Sequence, residues 1–458
     1  MSNIIQCISP VDGSVFAERL ALSLDEAKDV VSRARAAQNV WAGHPISKRI
    51  DLVRAGIERL GEMNDEVVPE LARMMGRPIR YGGEFSGFKE RASHMCDIAE
   101  ESLKPIVVED SDLFERRILR EPLGVIFVVA PWNYPYLTAI NSVAPALVAG
   151  NTVILKHATQ TLLAGERLTR AFNESGVSKD VLQNVFLDHD TTSNLIGANS
   201  FDFVNFTGSV SGGKMIEQAA AGTFTGVGTE LGGKDPGYVM EDADLDVSVE
   251  TLIDGAMFNC GQCCCGIERI YVVESLYDEF IEKAVKIVSG YKLGNPLEED
   301  TTIGPMAHKH LANQARDQIT EAIAEGATPL IDTFPDDDGG AYLTPQILTN
   351  VTHEMRVMRD ETFGPLVGVM KVEDDGKAIE LMNDSVFGLT ASLWTKDAER
   401  AARVGAQIQT GTVFMNRCDY VDPGLCWTGC KDTGRGGALS VIGYQNLTRP
   451  KSYHLKKA

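Results

Sequence analysis

Three consecutive thiols, Cys263, Cys264 and Cys265, follow Phe258-Asn259-Cys260-Gly261-Gln262, a run of amides, glycine and cysteine of the kind found in turns. A thiolate is a strong nucleophile and needs no strong base once its pKa is lowered. The same triplet could instead be three small core residues. A zinc site is a further reading, because Cys260 and Cys263 make a C-x-x-C and Cys426 and Cys430 a C-x-x-x-C. Four other segments carry groups of complementary chemistry. Asn133, in Pro131-Trp132-Asn133-Tyr134-Pro135, can donate a side-chain N–H to a developing oxyanion. Lys156 suits cofactor hydroxyls or a phosphate. Phe206-Thr207-Gly208-Ser209, with Gly212 and Gly213 just beyond, opens a helix whose first N–H groups could face a pyrophosphate, although the spacing is not G-x-G-x-x-G. Glu230 can activate water as a general base, or it can pair with Lys234.

Each of these groups stands at the end of a short apolar run. Strands are expected at Val125–Ala130, Thr152–Leu155, Asn184–Leu187, Phe203–Phe206 and Thr225–Glu230, with helices between them at Asn141–Ala149, Leu162–Ser175, Thr192–Ala198 and Gly212–Ala221. Such a βαβ series implies a parallel sheet covered by helices, with ligands beyond the carboxyl ends of the strands. A thiol, a carboxylate, an amide donor and a phosphate-type turn at one such edge form a candidate active site. Upstream, a short strand ends near Pro10-Val11-Asp12-Gly13, Ser23 and Glu26 have capping-box spacing, and Asp51–Gly61 and Glu66–Met75 carry helical periodicity. After Leu231 the alternation resumes, with helices at Leu276–Ser289 and His308–Glu325 and apolar runs at Pro365–Val372 and Ala391–Trp394, which predicts a second α/β unit. The alternating Leu113–Pro122 and the polar, β-rich Ser440–Leu455 are expected as exposed edges, and long exposed edges call for pairing, which predicts an intersubunit role.

At 458 residues the chain is several times the length of one small domain, and 44% apolar and 23% charged residues are ordinary for a soluble globular protein. The net charge of −21, with no basic run, opposes binding to nucleic acid or anionic lipid, so an anionic ligand needs a local cationic site. There is no transmembrane run, no secretory leader pattern at Met1–Gly13, and an odd count of nine cysteines. Together these predict a protein of a reducing, cytoplasmic compartment.

Taken in order, PWNYP, GNTVILK, FTGS, ELGGK, FNCGQCCC, ETFGP and NDSVFGL resemble the motif set of the NAD(P)-dependent aldehyde dehydrogenase superfamily, over about residues 10 to 455. The resemblance gives the glycine and glutamine around the thiols a role in a nucleophile turn, so no metal is expected. It implies an α/β protein with a Rossmann-like cofactor domain (1–100 and 123–230), an α/β catalytic domain (231–435) and a β-ribbon oligomerisation element (101–122 and 436–458), assembled as a homodimer or homotetramer. It makes Cys264 the nucleophile, Asn133 with the Cys264 N–H the oxyanion donors, and Glu230 the base that hydrolyses the thioester. A coenzyme-A-dependent acyl transfer and a catalytically silent homologue are the alternatives. By the same resemblance Lys156 meets the adenosine ribose, Gly208 and Ser209 the pyrophosphate, Gly213 opens the helix there, Glu361 and Phe363 meet the nicotinamide ribose, and Trp132 lies beside the cofactor channel. Thr159 stands where NAD-preferring members often have glutamate, which leaves both NAD and NADP open as cofactor. Semialdehyde-oxidising relatives place arginines where this chain has Asn141 and Phe258, which argues against succinate semialdehyde. Arg417, after Thr412–Asn416, is a candidate for attracting an anionic aldehyde at the tunnel mouth, its bland alternative being a pair with Asp419 or Asp422.

Overall fold

The computed structural model describes residues 4–457; positions 1–3 and 458, which the expected domain bounds include, lie outside the described residues. Two sheets organise the chain. The first has six strands in the order Gly434–Arg435, Gly226–Glu230, Phe203–Thr207, Val125–Ala130, Thr152–His157 and Leu182–Asn184. All neighbours are parallel except the short first strand, which runs antiparallel to Gly226–Glu230. Val125–Ala130 is buried at every position, as a parallel strand covered on both faces must be. The helix Pro135–Ala149 that follows is apolar nearly all round and almost wholly buried, so it packs at the centre rather than at the surface. Proline at its first position and Gly150 at φ 97° beyond its end set its limits.

The expected strand at 184–187 is instead Leu182–Asn184, because the chain then leaves the sheet for Asp188, whose side chain caps the helix His189–Gly197. Ser23 and Glu26 form the expected capping box on the helix Leu24–Ala42. The second sheet has seven strands in the order Thr328–Pro329, Gln346–Thr349, Leu366–Val372, Ile267–Val273, Asp235–Val239, Thr390–Trp394 and Thr412–Met415, parallel except at Thr328–Pro329.

A separate antiparallel ribbon pairs Thr448–Lys456 with Phe114–Pro122, and Phe114–Pro122 with Ile106–Asp110. Only the last part of the expected extended segment 440–455 is strand. Ser440–Asn446 is a short helix, since burying Tyr444, whose hydroxyl donates to the Met95 carbonyl at 2.6 Å, outweighs the local β preference. Among the described residues no helix is long and apolar enough to cross a membrane.

Candidate active site

The thiol triplet leaves the helix Leu245–Met257 through the turn Phe258–Gly261, in which Asn259, Cys260 and Gly261 all have positive φ (54°, 58° and 67°). Two of these are not glycine, so the turn is strained and must be held by its surroundings. The amides of the motif hold it. Asn259 Nδ2 donates to the carbonyls of Asn133 (3.2 Å) and Gln262 (3.3 Å), while Gln262 donates to the Asn259 carbonyl (3.1 Å) and accepts from the Ala307 N–H (2.7 Å). At Gly261 a Cβ would lie 2.1 Å from the Gly364 carbonyl oxygen, so only glycine passes there.

The three Sγ atoms lie within 4.8 Å of one another, yet their environments differ. Cys263 and Cys265 are buried, and both donate to Asp419 Oδ1, at 2.9 and 3.2 Å. Cys264 is half-buried and faces open space. The neighbouring Cys263 and Cys265 thiols lower the Cys264 pKa below the ordinary thiol range, against burial and the Asp419 and Asp235 carboxylates. Cys263 and Cys265 are pushed upward, first by their hydrogen bonding within the triplet. Cys260, Cys426 and Cys430 do not gather with the triplet into a four-thiol site among the described residues.

Glu230 ends its strand half-buried, accepting the Thr207 hydroxyl at 3.2 Å. Burial pushes its pKa up to about 7, with the Thr207 hydroxyl and the Arg91 charge pulling the other way. It does not pair with Lys234. That ammonium is buried against Glu268 and the Thr362 hydroxyl, and Glu268 also accepts the N–H groups of Thr362 and Phe363. Asn133 Nδ2 sits 3.3 Å from the Gln262 carbonyl.

Arg77 reaches the same turn from a distant element. It donates to the Asn133 carbonyl (2.8 Å) and Asn259 Oδ1 (3.1 Å), pairs with Glu84 (2.8 Å) and lies 4.8 Å from the Tyr134 ring. Glu84 in turn accepts the N–H groups of Tyr136 and Leu137 at the start of the Pro135–Ala149 helix. Neither Arg77 nor Glu84 carries a sequence signal beyond its charge, and Asp419 lies 154 positions from Cys265. The motif around Asn259 and Gln262 is the one signal that would have found the amide frame.

Two cavities meet at Cys264. The larger, about 370 Å³, is lined by Trp132, Asn133, Gly208, Ser209, Glu361 and Phe363 among others; the smaller, about 170 Å³, by Arg91, Tyr134, Phe258, Asp419 and Trp427 among others. Cys264, Glu230, Thr207 and Leu231 line both. Trp132 and Phe363 stand edge to face at 5.5 Å. One Glu361 oxygen accepts the Gly233 N–H at 2.9 Å, the other accepts no hydrogen bond among the described residues, and burial followed by Glu268 repulsion raises its pKa to about 8. Ser209 caps the helix Val210–Ala220, and at Gly213 a Cβ would lie 2.7 Å from the Leu231 side chain, so glycine brings that helix against the strand end.

Lys156, Thr159, Gly213 and Arg417 line neither cavity. Lys156 is buried at its strand end with no hydrogen-bond partner among the described residues, and burial lowers its pKa. Thr159 is exposed at the start of the short turn Thr159–Thr161. Arg417 is exposed, with its guanidinium 3.4 Å from the centre of the Tyr420 ring and no ion pair to Asp419 or Asp422. The donor set fits a nicotinamide dinucleotide: a buried ammonium and a carboxylate oxygen that make no hydrogen bond among the described residues, for hydroxyls, a helix start for a pyrophosphate, and aromatic walls for a flat ring.

The model of the aldehyde dehydrogenase family matches residues 1–453, and the chain belongs to that family. It is an NAD(P)-dependent oxidoreductase that converts an aldehyde into a carboxylic acid. It is 31% identical over 445 residues to a succinate-semialdehyde dehydrogenase [NADP(+)] of Deinococcus radiodurans, covering 97% of this chain and 93% of that one. A vanillin dehydrogenase of Corynebacterium glutamicum is 33% identical, with coverage of 94% and 89%. Among solved structures, the NADP-dependent glyceraldehyde-3-phosphate dehydrogenase from Bacillus halodurans complexed with NADP superposes with a TM-score of 0.93 at 31% identity, over 100% of this chain and 96% of that one.

Proposed function

We propose that Cys264 is the nucleophile and Glu230 the hydrolytic base of this aldehyde oxidation. The observation that carries the reading is their joint position where the two cavities meet, one suited to the nicotinamide end of the cofactor and the other to the aldehyde. The Cys264 thiolate attacks the aldehyde carbon, a C–S bond forms, and the carbonyl π pair moves onto oxygen. Asn133 Nδ2–H and the Cys264 N–H stabilise that oxyanion. When bound, NAD(P)⁺ supplies the hydride acceptor that turns the Cys264 hemithioacetal into a thioester. Glu230 then takes a proton from water, the hydroxide oxygen adds to the thioester carbon, and collapse expels the Cys264 thiolate and leaves the acid. A carboxylate with a pKa near 7 is matched to that proton transfer at neutral pH, which supports water rather than coenzyme A as the acyl acceptor.

Lys156 would hold the adenosine ribose, Gly208, Ser209 and Gly213 the pyrophosphate, and Glu361 with Phe363 the second ribose, with Trp132 flanking the ring and Thr159 leaving room for a 2′-phosphate. Residues 1–100 and 123–230 would be the cofactor domain, 231–435 the catalytic domain, which lends the short strand Gly434–Arg435 to the first sheet, and 101–122 with 436–458 the oligomerisation element of a cytoplasmic homodimer or homotetramer. Exposed Ile106, Val107 and Val108 on the outer ribbon strand support pairing with a second copy. The test follows reduced nicotinamide over aliphatic, aromatic and charged aldehydes with NAD and NADP separately. Cys264→Ala abolishes turnover, while Cys263→Ala and Cys265→Ala retain much of it; equal loss in all three returns the triplet to a packing role.

A further inference from the structure

The helix Phe85–Leu103 delivers Arg91 to the wall of the smaller cavity, where it is the only cation among the lining residues. Its Nη1 donates to the Leu137 carbonyl (3.2 Å) and, 50 positions away in sequence, to Asn141 Oδ1 (3.4 Å). Among the described residues Nε and Nη2 make no hydrogen bond, and the guanidinium forms no ion pair. Two adjacent donors of a planar fork are therefore left for a ligand, and that geometry matches the two oxygens of a carboxylate.

The other charged or titratable groups on this cavity do not cancel Arg91. Asp419 has Oδ1 committed to the Cys263 and Cys265 thiols, and burial, followed by its closeness to Cys263, pushes its pKa well above the ordinary carboxylate range, a direction that favours the neutral form. Glu230 feels Arg91 electrostatically but lies with Cys264, where the cavities join. Most of the remaining wall, including Leu137, Phe258, Leu389, Val421 and Trp427, is apolar, which strengthens a charge-assisted contact made inside it. In a molecule of net charge −21 an anionic substrate is repelled at long range unless one local cation receives it.

We propose that Arg91 is the anchor for a distal carboxylate, so that the enzyme's substrates are short ω-oxo acids held with the aldehyde at Cys264 and the carboxylate at Arg91. The cavity, at about 170 Å³, suits a chain of few carbons. This rests on the reading of Cys264 as nucleophile, and it revises the sequence-based expectation against succinate semialdehyde: the recognising cation comes from the helix Phe85–Leu103, where the sequence offered no motif, in place of the arginines absent at Asn141 and Phe258.

The test compares kcat/KM for 4-oxobutanoate and 5-oxopentanoate with that for butanal and pentanal, in the wild type, Arg91→Ala and Arg91→Lys. The wild type is expected to prefer the oxo acids. Measured at a pH above the Glu230 limb, Arg91→Ala should lower kcat/KM for the oxo acids about 10- to 100-fold, the range for hydrogen bonds to a charged group, and leave the alkanals little changed. Arg91→Lys should restore part of the loss, and added salt should weaken only the oxo acids. Equal losses on both classes, with the acid limb of the alkanal pH profile displaced, would mean that Arg91 only tunes Glu230 and would overturn the proposal. So would a wild type without preference. Turnover of alkanals in either case keeps the Cys264 reading intact, whereas turnover of neither class overturns both.

Discussion

Removing Arg77 should separate folding from positioning at this site. Arg77 and Glu84 are 4% and 2% exposed, so Arg77→Leu strands a carboxylate in the interior. Breaking a buried pair from one side costs about 3–5 kcal/mol, and Glu84 keeps the amides of Tyr136 (3.0 Å) and Leu137 (2.7 Å), which places this loss at the low end, about 3 kcal/mol. The Asn133 carbonyl loses its 2.8 Å contact to Arg77 but keeps the 3.2 Å contact to Asn259. The amide donor is therefore loosened rather than removed, and kcat should fall about 10-fold, less than the 10²–10³ for deleting an oxyanion donor. Adding Glu84→Gln removes the stranded charge while retaining an acceptor for the two amides, so the double variant should regain about 2 kcal/mol of stability without regaining rate. Urea denaturation followed by circular dichroism reads the first quantity, and steady-state oxidation of a neutral aldehyde reads the second. A wild-type kcat in Arg77→Leu, or recovery of kcat along with stability in the double variant, refutes the positioning role.

With Glu230 acting as the proposed base in its carboxylate form, hydrolysis should rise with pH through a limb near 7, and Thr207→Val, which removes a hydrogen bond that lowers the Glu230 pKa, should move that limb upward by about half to one unit; an unmoved limb assigns it to another group. Asp419→Gly removes the acceptor of two thiols at a position whose φ of 46° suits glycine, so iodoacetamide should label Cys263 and Cys265 as well as Cys264, in contrast to the wild type. Peptide mass spectrometry decides this, and label still confined to Cys264 removes Asp419 from the sorting of the triplet. Thr159→Glu should raise KM for NADP and leave NAD nearly unaffected, through repulsion of the 2′-phosphate; equal KM changes for both would take this position out of cofactor selection.

The five-strand series and the groups at its carboxyl edge are legible because the central strands Val125–Ala130 and Thr152–His157 carry continuous apolar runs with their polar residues at or just beyond the end, as the Asn133 turn and Lys156 illustrate. Amides flanking the thiols likewise announce a turn. What escapes is contact across long separations. Asp419, Arg77 and Arg91 reach the site only through packing of helices and loops far away in sequence, and the segment's own pattern says nothing of it. The short helix at Ser440–Asn446 escapes for a related reason, since its stability comes from burying Tyr444 beneath the helix Phe85–Leu103. Arg417 shows the converse: a charge close in sequence to Asp419 and Asp422 stacks on Tyr420 instead.

We propose that Cys264 holds the acyl group and Glu230 releases it. Glu230→Gln should still form the thioester and then stall, because water activation comes last. Mixing this variant with aldehyde and cofactor, quenching in acid and analysing peptides by mass spectrometry should show one burst of reduced nicotinamide and the acyl mass on Cys264 alone. An acyl group on Cys263 or Cys265, or steady turnover at the wild-type rate without any adduct, would contradict it.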